Sequence, residues 1–148
     1  MTIWRDATEA DVPAVVAMLA DDMLGRAREG TDLAPYLAAF AEMQRQGQNT
    51  LVVAEHEGRI VATYQITMLH GLSLQAARRA QIEAVRVAAD VRGQGLGAAL
   101  MADAEARARA AGCRLMQLTT NKARTRAHAF YDRLGFTPSH IGYKRELD

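Results

Sequence analysis

Apolar residues recur in two periods along this chain, and the switches between them mark out its elements. Thr2-Ile3-Trp4-Arg5 reads as a short first strand. Val12, Val15, Val16 and Leu19 then repeat at helical spacing and define one buried face. Ahead of them Thr8-x-x-Asp11 has the form of a capping box, and Pro13 suits a first helical turn. Residues 21–25 break the pattern. A second helix is predicted to begin near Thr31, with Leu33, Tyr36, Leu37, Phe40 and Met43 apolar and Gly47 as its stop. From Thr50 the period falls to two. Leu51-Val52-Val53-Ala54, a turn at Glu55-His56-Glu57-Gly58-Arg59 and the alternation of Ile60, Ala62, Tyr64, Ile66 and Met68 predict a hairpin.

Residues 71–79 read as a loop and 80–88 as the next strand. The helix after it turns Leu100, Ala104, Ala108 and Ala111 inward, with Asp103–Arg107 and Glu105–Arg109 paired on its wet side. Gly112 ends that helix. Residues 113–119 form another strand, 125–134 a last helix closed by Gly135, and one or two closing strands run through Leu147. Strand, glycine loop, helix and strand make a βαβ unit with two parallel strands. The whole predicts an α/β sandwich built on a mixed sheet.

Composition narrows this picture without changing it. A chain of 148 residues is most simply one domain over 1–148, long enough for a real core. With 49% hydrophobic and 24% charged residues it is an ordinary soluble composition. A net charge of +1 gives no global signal for nucleic acid or an anionic membrane. The single cysteine, Cys113, excludes an internal disulfide and a multi-cysteine metal site. It starts a strand and is expected to be buried, not nucleophilic. His56, His70 and His140 do not fall at ligand spacing, so no metal is expected. No apolar run reaches the roughly 20 residues of a membrane span, and no secretion leader is visible, so a cytoplasmic protein is the default.

Candidate chemistry concentrates in VRVAADVRGQGLGAALM, residues 85–101. Glycines at alternate positions let the backbone approach a ligand and adopt conformations that a Cβ forbids. At a helix entrance, free amides and the positive dipole end converge on an anion. A Walker loop requires Gly-Lys-Ser/Thr, whereas Gly97 is followed by Ala98 and Ala99. A dinucleotide fingerprint requires Gly-x-Gly-x-x-Gly, and this loop is Gly-x-Gly-x-Gly. What remains is Arg-x-x-Gly-x-Gly between a strand and a helix.

That loop resembles the acetyl-CoA pyrophosphate loop of the GNAT superfamily of N-acetyltransferases. Ile82-Glu83-Ala84-Val85-Arg86-Val87 is similar to the family's fourth strand. Asn121, Ala127 and Phe130-Tyr131, ending in Leu134-Gly135-Phe136, are similar to its late segment beside the pantetheine and the thiol. The ordered pair of motifs is more specific than either alone. The resemblance implies a GNAT-like mixed, mostly antiparallel sheet with a central βαβ unit and flanking helices. It also implies acetyl transfer from acetyl-CoA, as co-substrate, to a primary amine of a small molecule, amino acid or peptide in one ternary complex. The rival from another class is a noncatalytic acyl-CoA-binding sensor or interaction module.

The resemblance distributes roles as follows. Arg92, Gly93, Gln94, Gly95, Leu96, Gly97 and Ala98 would hold the pyrophosphate, chiefly through amides from Gln94 to Ala98. Val85, Arg86 and Val87 would border the pantetheine, with Val85 and Val87 offering backbone groups, and a main-chain amide of this strand would polarise the thioester carbonyl. Asn121, Ala127, Phe130 and Tyr131 would complete the cofactor side. Tyr131 would also act at the leaving sulfur. A free thiol has a pKa near ~8.5 and a phenol near ~10, so the phenol serves mainly as a hydrogen-bond donor there. Glu83 would be the base, since a primary amine arrives protonated at neutral pH. It shares alternation parity with Val85 and Val87, so all three face one side unless a bulge intervenes. A bare strand glutamate is usually a solvated edge residue, Asn121 alone would be a turn or cap, and a lone helix histidine such as His128 is usually a packing residue. For the acceptor, Asp21, Asp22 and Glu29 suit a cationic amine, whereas Arg78 and Arg79 suit an anion. The two clues conflict and leave the acceptor open. Neither motif reports oligomeric state; many members of the family form homodimers.

Overall fold

The computed structural model describes residues 1–148, with the side chain of Met23 left aside. Contacts divide the chain into two compact units, Met1–Gln117 and Leu118–Asp148. The first begins with β1 (Thr2–Asp6), a 3-10 turn at Glu9–Asp11 and α1 (Val12–Ala20), then α2 (Met23–Arg28) and α3 (Ala34–Gln46). β2 (Asn49–His56) and β3 (Arg59–Leu69) form the hairpin; the single turn α4 (Ser73–Ala76) precedes β4 (Arg79–Val87). After a 3-10 turn at Ala89–Val91 come α5 (Leu96–Ala110), β5 (Leu115–Leu118) and, in the second unit, α6 (Thr125–Arg133). The sheet has five strands in the order β1-β2-β3-β4-β5, antiparallel from β1 through β4. Contacts between β4 and β5 advance together: the Arg114 amide donates to Arg78 O, and Gln117 meets Arg79 and Gln81. The predicted βαβ unit is thus present, with α5 packed on β3 and β4.

Each sheet face is closed by residues that the alternation selects. Val52, Ala62, Tyr64, Ile66 and Ile82 are buried on the α5 side, against Leu100, Ala104 and Ala108. Val53 on the opposite face packs with Ala7, Val12, Val15, Val16 and Phe40. The hairpin turn places Glu57 at φ 50° and Gly58 at φ 76°, both left-handed, as a two-residue loop that follows the strand twist requires. Gly47 closes α3 at φ 76°, as its position after the last apolar repeat predicts.

Several expectations need correction. The break at residues 21–25 contains the start of α2, whose N-cap Asp22 accepts the Gly25 amide at 2.5 Å. A glycine inside a helix normally argues against one, but a Cβ at Gly25 would lie 2.0 Å from Leu19 O, so close packing demands it. Asp103 and Arg107 are not on a wet side. Asp103 accepts from Tyr64 Oη at 2.6 Å and from Arg107 Nε at 2.9 Å, while Arg107 Nη1 reaches Asp6 at 2.7 Å. Cys113 precedes β5 instead of starting a strand, and it is half-buried, its Sγ 3.5 Å from Met68 Sδ. Burial pushes its thiol pKa up, which opposes nucleophilic use. Among the described residues, no strand follows α6. Ile141, Tyr143 and Leu147 have strand-like spacing but are 70–91% exposed, with no apolar partner to hold a pleat. Among the described residues, no helix is long and apolar enough to cross a membrane.

The start of α1 is fixed by charge as well as by its cap. Asp11, 8% exposed, accepts the Thr8 amide at 2.7 Å and both terminal nitrogens of Arg5 at 2.7 and 3.0 Å. The Arg5 guanidinium first, then the Thr8 amide, hold the Asp11 carboxyl below the usual carboxylate range against its own desolvation. A depressed native pKa means that the unfolded state binds the proton first. Its stabilisation is therefore complete above the ordinary carboxylate range and is lost as pH falls through the native pKa. Asp11→Ala should cost about 1–3 kcal/mol at neutral pH. In urea titrations the gap between the two proteins should narrow as pH drops below ~4.

Candidate active site

The first unit presents an anion-binding helix end directly after a strand. Gly93 and Gly95 both adopt φ 81°, the left-handed region that favours glycine, and a Cβ at either would meet open space. The glycine requirement here is conformational, not steric crowding. Gly95 is the N-cap of α5, and its carbonyl accepts the Ala99 amide at 3.1 Å. The amides of Leu96, Gly97 and Ala98 therefore precede the first intrahelical bond. No side chain caps this end, and no acid lies in the first turn. α2 differs, since its start is capped by Asp22. Gln94 and Ala98 are exposed, Leu96 and Gly97 half-buried. Arg92 is exposed at the loop entrance and donates from Nε to Val87 O at 3.2 Å.

On β4 the structure changes the predicted arrangement. Thr63 stands opposite Arg86 and Gln65 opposite Glu83, so β4 has two residues, Ala84 and Val85, against Tyr64 alone. Ala84 absorbs this bulge at φ 53°, a left-handed conformation that is uncommon outside glycine. Paired residues share a face. Glu83 and Arg86 therefore lie with Thr63 and Gln65 on the α1 side, while Val87 lies with Ala62 on the α5 side. The expectation that Glu83, Val85 and Val87 share one side by alternation is thereby overturned for Val87. Glu83 is exposed, and residues 85–87 are half-buried. The Val85 carbonyl accepts from Arg86 Nη1 at 2.8 Å, and the Val87 carbonyl from Arg92, so both are engaged within the strand and its loop.

The second unit explains why its motif has this form. Asn121 Oδ1 accepts the Ala123 amide at 2.9 Å, and Asn121 O accepts the Arg124 amide at 2.9 Å and lies 3.1 Å from His128 Nε2. Asn121 is a turn residue ahead of α6 and His128 braces that turn. α6 ends at Gly135, φ 88°, with the Phe136 amide donating to Tyr131 O at 3.1 Å. This return bond folds Phe136 back on the helix. Tyr131 is held edge-on between Phe130, 5.2 Å between centroids, and Phe136, 5.8 Å. Ala127 is half-buried on the same helix. The glycine and last phenylalanine of the motif thus serve to fix the tyrosine ring.

Among the described residues no cluster of three or more His, Cys, Asp or Glu side chains suits a metal ion. The two loop arginines considered for an acceptor are committed elsewhere: Arg78 donates to Ala111 O, and Arg79 to Gln117 at 3.0 Å. Sequence reading missed Arg86 as a side chain with a face of its own, because only the bulge turns it there.

The glycine-opened helix end behind a bulged strand joins a comparison across known proteins. A model of the acetyltransferase (GNAT) family matches residues 15–136. The chain belongs to the GNAT acetyltransferase family. Members of this family use acetyl-CoA. A curated relative, the aminoalkylphosphonate N-acetyltransferase of Salmonella typhimurium, is 30% identical over 143 residues, 97% of this chain and 90% of its own. A crystal structure of a transcriptional regulator from Bacillus halodurans C-125 is 43% identical, with TM-score 0.95, over 99% of this chain and all of that one. A GNAT-type fold is also shared with an acetyltransferase from Trypanosoma brucei, 26% identical with TM-score 0.81, covering 99% and 100% of the two chains.

If the α5 entrance binds the donor, its left-handed backbone must be kept. Gly95→Val forces a β-branched residue into that region, at a cost of roughly 1–3 kcal/mol. Calorimetric titration with acetyl-CoA should show affinity at least about tenfold weaker than wild type. An equal dissociation constant would remove the loop from the binding site.

Proposed function

We propose that this protein transfers an acetyl group from acetyl-CoA to the primary amine of a small acceptor, with its two units working as one acetyltransferase domain. The observation that carries this reading is the uncapped, glycine-opened N-terminus of α5 directly after the bulged β4. A family match running through both units supports it. The Salmonella relative makes an aminoalkylphosphonate-like acceptor the first class to try. Backbone amides from Gln94 to Ala98 bind the pyrophosphate, and Arg92 adds charge beside it.

In the transfer step the acceptor arrives as an ammonium and gives up one proton to Glu83, directly or through water. The neutral nitrogen attacks the thioester carbonyl, whose developing oxyanion is met by a main-chain amide of β4. The new C–N bond forms, the C–S bond breaks, and the sulfur leaves with its electron pair. Tyr131 donates a hydrogen bond to that sulfur, which ends as the thiol of CoA. Bound side by side, the reactants need no covalent enzyme intermediate. The balance is one amide, one thiol and one proton released for each ammonium consumed.

A second reading has one observation in its favour, the transcriptional-regulator name carried by the Bacillus halodurans structure. In it the protein binds acetyl-CoA and transfers nothing. Acetyl-CoA-dependent thiol release, screened over amines, amino acids, aminoalkylphosphonates and peptides, separates the two. Release with at least one acceptor supports transfer, and tight donor binding with release from none supports the second reading. With the best acceptor, Tyr131→Phe should lower kcat by about 100-fold or more, the lower end of the usual range for a lost proton-handling group, while acetyl-CoA affinity changes far less. Glu83→Gln should remove the acidic limb of the pH–rate profile; a profile identical to wild type would dismiss Glu83 as the base.

A further inference from the structure

β4 carries a second charged side chain on the face that Glu83 occupies. In an unbroken strand, positions 83 and 86 would point to opposite sides of the sheet. The bulge at Ala84 inserts one residue and returns Arg86 to the Glu83 side, opposite Thr63 and Gln65 respectively. Since Thr63 and Gln65 are two residues apart on β3, the backbone positions of Glu83 and Arg86 are spaced about 7 Å along the sheet, with both side chains on one face.

Arg86 donates from Nη1 to the Val85 carbonyl at 2.8 Å and has an acidic neighbour, Asp22, at longer range. The Arg86 side chain is 12% exposed, and Nη2 lies 3.7 Å from Asp22 Oδ2. Charge-assisted bonds normally close to about 2.7–2.9 Å, and Arg5 and Asp11 reach 2.7 and 3.0 Å across a full fork. Asp22 is simultaneously the N-cap of α2, which restricts how far it can follow the guanidinium. Glu29, at the end of the same helix, is held below the usual carboxylate range by Arg28 first, then by Tyr36 and the Arg86 charge. Arg78 and Arg79, by contrast, are fastened to the α5–β5 framework.

We propose that Arg86 determines acceptor specificity, taking the carboxylate or phosphonate of a short amino acid while that molecule's amine is presented to Glu83. This rests on the acetyl-transfer reading above. Asp22 is the partner that the incoming anion replaces. A planar fork receives two oxygens of either acid, which an ammonium side chain would not.

The test compares three acceptors that share an amine on a short chain: 2-aminoethylphosphonate, β-alanine and n-propylamine. Wild type should show kcat/KM at least about tenfold higher for the acids than for propylamine, a difference of about 1.4 kcal/mol. The stronger of the two acids identifies the anion. Arg86→Gln should reduce that preference to within about threefold, with Arg86→Lys intermediate. Asp22→Asn keeps a cap for α2 but removes the competing charge, so it should lower KM for the acids several-fold. A merely structural pair predicts the opposite, a loss with both acids. Wild-type transfer to propylamine as good as to the acids overturns the assignment of Arg86 and leaves acetyl transfer standing. An unchanged or raised acid KM in Asp22→Asn also overturns it. Donor binding with transfer to no amine in the wider screen overturns both readings.

Discussion

The geometry of this protein depends on one extra residue in β4, opposite Tyr64. Where Tyr64 faces both Ala84 and Val85, its ring is fully buried toward α5, and its hydroxyl donates to Asp103 at 2.6 Å. Burial first, and then the Asp103 carboxylate, keep that phenol protonated well above the ordinary tyrosine range. Asp103 is also gripped by Arg107, which reaches Asp6 on β1. A chain of polar contacts therefore runs from the first strand through α5 to the bulge. Buried polar groups are costly unless satisfied, so such a network fixes one arrangement. It sets where α5 begins relative to β4, and thus where the glycine loop must turn.

The loop then converts that placement into binding capacity. The amides of Leu96, Gly97 and Ala98 stand ahead of the first intrahelical bond of α5, and Gly93 and Gly95 hold the left-handed turns that lead into it. A phosphate meeting those amides requires little reorganisation, and the dipole end adds to each bond. The same helix supplies Leu100, Ala104 and Ala108 to the core. In the proposed reading, core packing and donor recognition share this helix, consistent with precise sites standing on regular elements.

Much of this was legible from residue pattern. The alternation from Ile60 to Met68 gave β3, and Gly47, Gly58 and Gly112 marked ends that the backbone confirms at φ 76°, 76° and 80°. Three features were not legible, each for a physical reason. α2 was hidden because Gly25 lowers helix propensity, and only tertiary contact with Leu19 O explains the glycine. The bulge was hidden because a single inserted residue leaves no local signature once Ala, not Gly, occupies it. The residues after α6 kept strand-like spacing, but a strand requires a neighbour to pair with, and spacing does not report one. At the candidate site, the family resemblance pointed to Gly93, Gly95, Tyr131 and Glu83, and the backbone gives both glycines a left-handed conformation. The resemblance assigned Arg86 to the strand without its direction, since parity counted along an unbroken strand gives the wrong face.

Arg86 also shows why an acceptor site in this position would carry its own counter-ion. A guanidinium that is nine-tenths covered cannot stand without compensation, because an unpaired buried charge costs several kcal/mol. A protein that requires the cation for a ligand must therefore provide a substitute anion in the free state, and the substitute competes with the ligand. The competition is weakest when the resident pair is long and the resident acid has a second task. Asp22 meets both conditions, lying 3.7 Å from Arg86 while capping α2. An acid that replaces it can meet the guanidinium with two oxygens, so exchange need not leave Arg86 without a counter-charge. An uncharged amine offers no such replacement, and Asp22 simply stays. Discrimination then follows from the difference between two complete pairings, not from the raw attraction of one positive charge.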